Sequence, residues 1–344
     1  RMAYFFSGVK RKASIGDHLE RVCRKEGLGL IIHEVDVLVG GSEHDLLDGP
    51  SQDRWLARLE DGEFDCIMLS PPCGTWSRAN WANDDGPKPC RNRKYPWGIP
   101  YQKASQQRRA DSGNAFIHFS IRAIVGAQRA RKKGYLVRAI LEHPEDLGRM
   151  HKGEPASIWQ LREVRTAFGG TPCVSVAGHQ CQFAGVDRKK PTRLYSDILS
   201  MGDFGKIGWP RFDSRGYYLG PLPHTCGHRH RQRMIGRSKK GGFNTSPTAA
   251  YPDGMCFFIA LRIVQDFMSD ASTTFGRGGD GFRHRRSDEN EDDEVSDNER
   301  ARRWRQARMG AKARRILGVD QATQRRKGAT YMQDGDFHSN SAGD

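Results

Sequence analysis

The chain has 344 residues, 36% of them apolar, and carries 56 Lys and Arg against 41 Asp and Glu, a formal net charge of +15. It contains no run of about 20 apolar residues and no signal-peptide pattern at its start, which argues against a membrane or secreted protein. Residues 269–344 carry 15 basic and 14 acidic side chains, so nearly all of the net charge belongs to residues 1–268. A folded body this basic is expected to bind a polyanion, most often nucleic acid.

The eight cysteines lie at irregular spacings, which favours reduced thiols over a disulfide framework. We therefore expect an intracellular protein, which would be nuclear if the source is eukaryotic. Since Arg1 directly precedes a strand-like segment, the chain is also compatible with being part of a longer polypeptide.

Strand-like and helix-like segments alternate along the first 200 residues, which is typical of a parallel sheet with crossover helices. The apolar pattern predicts strands at residues 2–6, 28–39, 64–69, 135–141, 172–177 and 192–195. It predicts helices at residues 15–25, 51–59 (with Ser51 as N-cap), 105–133, 156–168 and 251–268. The sequence thus predicts an α/β fold with a mostly parallel central sheet and helices on both faces.

The segment Asp65-Cys-Ile-Met-Leu-Ser-Pro-Pro-Cys73-Gly-Thr-Trp-Ser77 leads from a buried strand into a stiff turn that presents a thiol. Folds of the α/β class place ligands and chemistry at the carboxyl ends of parallel strands. Cys73 is therefore a candidate nucleophile, and the alternative is a small buried apolar residue. Basic residues that could favour its thiolate follow in the chain: Arg78, Lys88, Arg91, Arg93 and Lys94.

Five motifs, taken in order, resemble those of the DNA cytosine-5 methyltransferases, a family that uses S-adenosylmethionine as methyl donor. They are Phe5-Phe6-Ser7-Gly8, His33-Glu34-Val35-Asp36, His44-Asp45-Leu46-Leu47, Pro71-Pro72-Cys73 and Leu141-Glu142-His143-Pro144. The resemblance covers about residues 2–196, with a weaker match at residues 245–263 to the family's last motif. It implies a Rossmann-like methyltransferase fold, S-adenosylmethionine as cofactor, and methyl transfer to carbon 5 of cytosine.

The resemblance also implies a donor pocket made by Phe6, Ser7, Gly8, Glu34, Asp36, Asp45 and Pro71. A glycine turn lets a cofactor approach the backbone, and an acid at the end of the next strand can accept both ribose hydroxyls. Glu34 is the matching acid and Asp36 its rival, while Asp45 would meet the adenine amino group. The stretch Val9-Lys-Arg-Lys-Ala13 departs from the further glycines usual in the family.

Three catalytic residues are implied, namely Cys73, Glu142 and Arg193. The Cys73 thiolate would add to carbon 6 of cytosine and make carbon 5 nucleophilic. Glu142 would hold a proton or a strong hydrogen bond at nitrogen 3, because a carboxyl in a closed pocket can have its pKa raised. Arg193 matches the last arginine of a family motif near the end of the resemblance. The alternatives are a capping or surface acid for Glu142 and a solvated strand edge around Arg193.

Chemistry on a base in a duplex requires that the base be flipped out. The loop at residues 74–100 has the aromatic and basic residues that a loop closing over DNA requires. The alternative is that its tryptophans pack against the protein core. The expected partner is double-stranded DNA. The predicted nucleic-acid contacts are Trp76, Ser77, Arg78, Arg91, Arg93, Lys94, Arg188 and Lys190.

Cysteines and histidines that could supply four zinc ligands occur at Cys173, His179, Cys181, His224, Cys226, His228 and His230. Their spacing matches no standard zinc finger, and alternate residues on one strand cannot all converge on a single ion. The sequence therefore favours no metal site here and leaves zinc as the open alternative.

The resemblance divides the chain into four parts. They are a catalytic domain at residues 1–200, a short target-recognition-like or irregular insert at 201–245, a returning helix at 246–268 and a disordered charged tail at 269–344. The leading hypothesis is a DNA cytosine-5 methyltransferase. Two alternatives stay open: an RNA (tRNA) cytosine-5 methyltransferase, and an inactive nucleic-acid-binding relative from a mobile element. Gly74 and His143, which replace the family's usual residues, favour the inactive relative, whereas the joint presence of Cys73 and Glu142 argues against it.

Overall fold

A computed structural model describes residues 1–82, 86–183, 186, 188–231, 234, 236–237 and 242–275. The tail predicted to be disordered begins at residue 269. Its residues beyond 275 lie outside the described part of the chain. No described helix is both long and apolar enough to cross a membrane.

A seven-stranded sheet forms the centre of the described chain, in the order β2-β1-β3-β4-β6-β5-β7. Its strands are β1 (Met2–Phe5), β2 (Ile32–Val35), β3 (Cys66–Leu69), β4 (Arg138–Pro144), β5 (Val174–His179), β6 (Pro191–Ser196) and β7 (Lys206–Ile207). Five strands point the same way, and β6 and β7 run opposite to them. The predicted α/β class with a mainly parallel central sheet is confirmed. Two further short strands, β8 (Arg211–Phe212) and β9 (Tyr218–Gly220), pair with each other.

Helices cover both faces of the sheet. One layer holds α3 (Gly49–Glu60) and α4 (Ala104–Lys132), and the other holds α1 (Ile15–Lys25) and α6 (Asp253–Phe275). The remaining α-helices of the described chain are short, α2 (Val37–Gly40) and α5 (Arg162–Arg165). Strand side chains alternate between the layers, so Phe5 packs toward α4 and Tyr4 packs with the α1 and α6 side.

Helix starts show how local sequence sets the element bounds. The α1 helix begins at the predicted residue because Ser14 and Asp17 form a capping box. The α3 helix begins earlier than predicted, since the side chain of Asp48, not Ser51, accepts the first-turn N–H.

Three predicted elements are wrong in extent. The strand predicted at residues 28–39 is limited to β2, because the side chain of Asp36 accepts from Leu38 N and starts α2. The helix predicted at residues 156–168 is broken, because a capping box on Ser157 closes a separate 3₁₀ turn at Ile158–Gln160 before α5. The strand predicted to end at residue 141 runs on through Pro144.

The boundaries predicted at residues 200 and 268 also move. β7 pairs with β5, and Phe204 is fully buried in the core beside α6, so residues up to 207 belong to the sheet domain and not to the insert. The last helix continues to Phe275.

The strand order places a crevice where the functional motifs lie. β1 has β2 on one side and β3 on the other, so the connections after β1 diverge at this topological switch point, where α/β sheets bind ligands. Gly8 follows the carboxyl end of β1, and Cys73 follows that of β3. Because β6 is antiparallel to β4, its first residues lie at the same edge, with Thr192 opposite Pro144.

Candidate active site

Cys73 ends the turn after β3 and opens onto a cavity of about 750 Å³. Ser70 N donates to Phe5 O (3.2 Å) and Trp76 N donates to Cys73 O (3.0 Å), which fixes the backbone on both sides of the Pro-Pro pair. Burial raises the pKa of the Cys73 thiol, and the nearby charge of Lys190 opposes that rise. The thiol is therefore protonated at neutral pH, and Lys190 is the cation that favours its thiolate.

Glu142 lies on β4 with a buried carboxyl group whose two oxygens differ. Oε2 accepts a hydrogen bond from the Tyr251 hydroxyl (2.5 Å), which shares a second one (2.7 Å) with the Ser70 hydroxyl. Oε1 is buried without a hydrogen-bond partner among the described residues. Burial raises the pKa of Glu142, and the charge of Lys190 and the Tyr251 hydrogen bond partly offset it. This is a carboxyl group that retains its proton more readily than an exposed one and has one oxygen free to act.

Lys190 connects these two groups. Its ammonium lines the cavity, donates to Thr248 O (2.7 Å) and lies 5.7 Å from the ring centroid of Tyr251. Its charge acts on both Cys73 and Glu142. The sequence reasoning gave it only a base or phosphate contact. Its position beside these two groups follows from the antiparallel direction of β6, which brings the start of that strand to the end of β4.

Replacement of Lys190 by Met is expected to shift the pH dependence of Cys73 alkylation by iodoacetamide to higher pH. The reason is that removal of the positive charge leaves burial to raise the pKa of the thiol unopposed. Mass spectrometry of the Cys73 peptide measures the alkylation. Lys189→Met, which removes a second cation of the cavity wall, should leave the curve in place; a matching shift there would contradict a specific role for Lys190.

Arg193, predicted as catalytic, is instead a structural residue. Its guanidinium is fully buried and pairs with both oxygens of Glu145 (2.7 and 2.8 Å). It also donates to Ser175 Oγ (2.6 Å) and to Gly208 O (2.5 Å). Because Arg193 stands opposite His143 in the β4–β6 register, it projects to the opposite face of the sheet from Glu142. The sequence placed Arg193 by its match to a family motif, which does not show the face of β6 on which its side chain lies. Successive side chains of a strand point to opposite faces, and this explains the error.

Arg193→Met should therefore destabilise the protein by about 3–5 kcal/mol, because it leaves the carboxylate of Glu145 buried and unpaired. Urea unfolding measures the loss. The double variant Arg193→Met with Glu145→Leu should recover a large part of it. A single variant with unchanged stability and no activity would instead support the catalytic interpretation.

Two of the acids predicted to bind the donor already accept hydrogen bonds from backbone N–H groups. Asp36 accepts hydrogen bonds from Gly8 N and Leu38 N (both 2.9 Å), and Asp45 accepts from Leu47 N (2.8 Å). Asp36 therefore holds the glycine turn, in which Gly8 adopts a positive φ of 72°. Its rival Glu34 makes no hydrogen bond or ion pair within the described chain, and its carboxylate approaches the first turn of α1 at Gly16. Of the two acids, Glu34 has the free acceptor that a ribose diol requires.

The recess beside Glu34 is smaller than a donor needs. It holds about 30 Å³ between the residues after β1 and the segment that contains Ala249, Ala250 and Tyr251. Ligand pockets in proteins usually hold about 300–1,000 Å³. Ser7 lines this recess, Pro71 is buried in the turn before Cys73, and Phe6 packs edge-on against Phe116 and Phe119. The chemistry of Glu34 and Ser7 fits the donor, but the space between these residues and Tyr251 does not in this arrangement.

The predicted nucleic-acid residues divide into structural and accessible groups. Trp76 and Arg91 are buried, with the guanidinium of Arg91 3.8 Å from the Trp76 ring centroid and bonded to Thr75 Oγ1 and Asn114 Oδ1. Both side chains hold the loop to α4. Arg91 is fully buried and does not line the cavity, so its predicted contact with nucleic acid is wrong, whereas Trp76 lines the cavity and its contact stays a prediction. Arg93 forms a bidentate pair with Asp146 (2.6 and 2.7 Å).

The other predicted contacts lie nearer the surface. Ser77 caps a short 3₁₀ turn through its hydroxyl, and Arg78 donates to Leu147 O (3.3 Å) while it lines the cavity. Lys94 is exposed and Arg188 is half-buried. The basic groups on the cavity wall are therefore Arg78, Lys189 and Lys190, together with Arg109.

Comparisons with known proteins leave the chain without a relative from which a role could be transferred. No family model, no curated protein and no solved structure matches it.

Proposed function

We propose that this chain is an S-adenosylmethionine-dependent methyltransferase that modifies carbon 5 of cytosine in nucleic acid, with duplex DNA as its substrate. The observation that supports it is the meeting of the Cys73 thiol, the buried carboxyl of Glu142 and the ammonium of Lys190 at one edge of the sheet. A Rossmann-like methyltransferase fold belongs to the same proposal. It is supported by the glycine turn after β1 and the free acid on β2, both at the topological switch point.

Cys73 acts as the nucleophile in this proposal. Its thiol gives up its proton to solvent, favoured by the charge of Lys190, and sulfur bonds to carbon 6 while the electrons of the ring double bond move to carbon 5. When bound, S-adenosylmethionine supplies an electrophilic methyl group for that carbon. Loss of the carbon 5 proton to solvent then restores the double bond as the bond between carbon 6 and sulfur breaks, and the thiolate of Cys73 takes a proton from solvent to return the free thiol.

Glu142 stabilises the ring as Cys73 adds to it. Its raised pKa favours the protonated carboxyl group, and the unpartnered Oε1 can present that proton to nitrogen 3 of the base. Tyr251 holds the other oxygen, so the group is oriented before the substrate arrives and needs no rearrangement as charge develops.

The donor would occupy the side of Glu34, whose carboxylate would accept the ribose hydroxyls. Ala249 lines both the small recess and the large cavity, so a thin wall separates the expected donor position from Cys73. For the donor to bind, Ala249 and Ala250 must withdraw from Ser7 and Glu34 while Tyr251 keeps its hydrogen bond to Glu142.

The large cavity suits an extruded nucleotide. Its volume of about 750 Å³ lies in the range of ligand pockets, and Arg78 and Lys189 stand on its walls where a phosphate would pass. Nearly all of the chain's net charge of +15 belongs to residues 1–268, which supports a polyanionic substrate.

A second candidate function is supported by one specific observation. The recess of about 30 Å³ beside Glu34 is too small for a nucleoside, as expected of a nucleic-acid-binding relative that has lost its methyl donor. In that case Cys73 would line a cavity that binds nucleic acid without turnover, with the buried Glu142 beside it.

Incubation of the full chain with tritiated S-adenosylmethionine and either duplex DNA or tRNA distinguishes these functions. Label in DNA supports the proposal. Label confined to tRNA would instead support a cytosine-5 methyltransferase that acts on RNA. Calorimetric titration with S-adenosylmethionine forms the second arm. Absence of both donor binding and transfer in a protein that still binds DNA would overturn the proposal in favour of the binding protein.

A further inference from the structure

Two distant segments bring four metal-ligating side chains together away from the cavity site. Cys181 lies in the turn directly after β5, and Cys226, His228 and His230 follow β9. One ligand atom from each lies within 4.8 Å of all the others, and Cys226 Sγ is 3.0 Å from His230 Nε2. Throughout the part of the chain that the structure describes, this is the one group of three or more His, Cys, Asp or Glu side chains arranged in this way.

The convergence contradicts the geometric reason for which the sequence predicted no metal site. That reason assumed that Cys226, His228 and His230 alternate along a strand. The segment is not a strand, and Gly227 adopts a φ of 77°, which turns the backbone between the first two ligands. The fourth ligand comes from the sheet itself, through Cys181.

We propose that these four residues form a structural zinc site with two thiolate and two imidazole ligands. Zinc takes such ligands tetrahedrally at about 2.3 Å for sulfur and about 2.0–2.1 Å for nitrogen, which places ligand atoms roughly 3.3–3.8 Å apart. The present spread of up to 4.8 Å closes to that value with small side-chain movements. The group contains no carboxylate, which disfavours calcium and magnesium, and four protein ligands leave no open position for catalysis.

The site would fasten the segment after β9 to the end of β5. Lys189, just before β6, also contacts the segment after β9, since its Nζ donates to His224 O (2.5 Å). Lys190, the next residue, is the cation beside Cys73. Zinc binding would thus supply folding free energy to the wall that carries this cation, since binding energy at a structural zinc site stabilises the folded segment.

Metal analysis of the full chain tests the proposal. The chain purified under reducing conditions without chelators should contain about one zinc per molecule by mass spectrometry, as one tetrahedral site requires. Cys226→Ser and His230→Ala should each lose most of it. Cys173→Ser is the matched control, because Cys173 is a half-buried thiol outside the group, and this variant should keep its zinc.

A measurement on the unmutated chain guards against variants that fail to fold. Zinc-stripped protein titrated with cobalt should show the intense visible bands of a tetrahedral cobalt thiolate centre. Chelation should speed tryptic cleavage after Arg229, which lies between two ligands.

Absence of zinc together with absence of the cobalt bands would overturn the proposal, as would a Cys181–Cys226 disulfide in the reduced preparation. Zinc retained in Cys226→Ser but lost in Cys173→Ser would overturn the assignment of the ligands. None of these readouts depends on methyl transfer, so the zinc site and the proposed enzymatic function can fail separately.

Discussion

Replacement of Cys73 by Ala is expected to abolish methyl transfer to cytosine, with a loss of about 10⁴-fold or more, because Cys73 is the one thiol among the described residues that line the cavity. The fold should survive, since Cys73 is only half-buried and its side chain makes no hydrogen bond that holds the turn. Initial rates with tritiated donor measure the loss. Duplex DNA that contains 5-fluorocytosine provides a more direct readout, because the fluorine blocks the proton loss that releases the thiol.

Wild-type protein should form a covalent complex with the fluorinated DNA that resists denaturing electrophoresis, and Cys73→Ala should not. Cys173→Ser serves as control, because Cys173 is also half-buried but bonds to the Tyr195 hydroxyl (3.3 Å) away from the cavity. It should retain both the complex and the activity. A complex that persists in Cys73→Ala would show that another nucleophile is used and would contradict the site described above.

Local signals in the sequence determined the elements that were predicted well. The α1 helix was predicted with its observed bounds because Leu19, Val22 and Cys23 form one apolar face, and the structure shows that Ser14 caps its start. The strand after residue 28 was predicted too long because apolar residues continue past Val35, and only the side chain of Asp36 decides that helix α2 follows. Such a side chain-to-backbone bond competes with the strand and leaves no mark on the apolar pattern.

The residues of the candidate site also divide into those that the sequence could identify and those that it could not. Cys73 and Glu142 could be singled out from the sequence, because Cys73 lies in the turn after one apolar strand and Glu142 lies near the carboxyl end of another. Lys190 and Arg193 could not be told apart, because their roles depend on the direction and register of β6 between β4 and β5. Strand order and register arise from contacts between distant residues, which a local pattern does not encode.

Replacement of Glu142 by Gln is expected to have opposite effects on activity and stability. Methyl transfer should fall by about 10²–10⁴-fold, the usual contribution of a positioned acid, because an amide can donate a hydrogen bond to nitrogen 3 but no proton. Gln can still accept the hydrogen bond from Tyr251, so the local packing is kept. Initial rates of transfer and urea unfolding of the same preparation measure the two effects.

The gain in stability follows from the raised pKa of Glu142. Between the ordinary pKa of a glutamic acid and its higher value in the fold, the folded state binds more protons than the unfolded state, so the free energy of unfolding decreases as the pH rises through that window. At neutral pH the wild-type protein therefore bears the cost of a buried ionisable group, and Glu142→Gln removes that cost. The stability advantage of the variant should shrink as the pH is lowered toward the ordinary glutamic acid pKa, because the wild-type carboxyl is then neutral in both states.

Glu163→Gln on the exposed surface of α5 is the matched control and should change neither activity nor stability. A Glu142→Gln variant that lost activity and stability together would indicate that Glu142 only supports the fold. Loss of activity together with a pH-dependent gain in stability is expected only if the carboxyl group of Glu142 is kept buried at the expense of stability. Such burial is what a proton donor at nitrogen 3 requires.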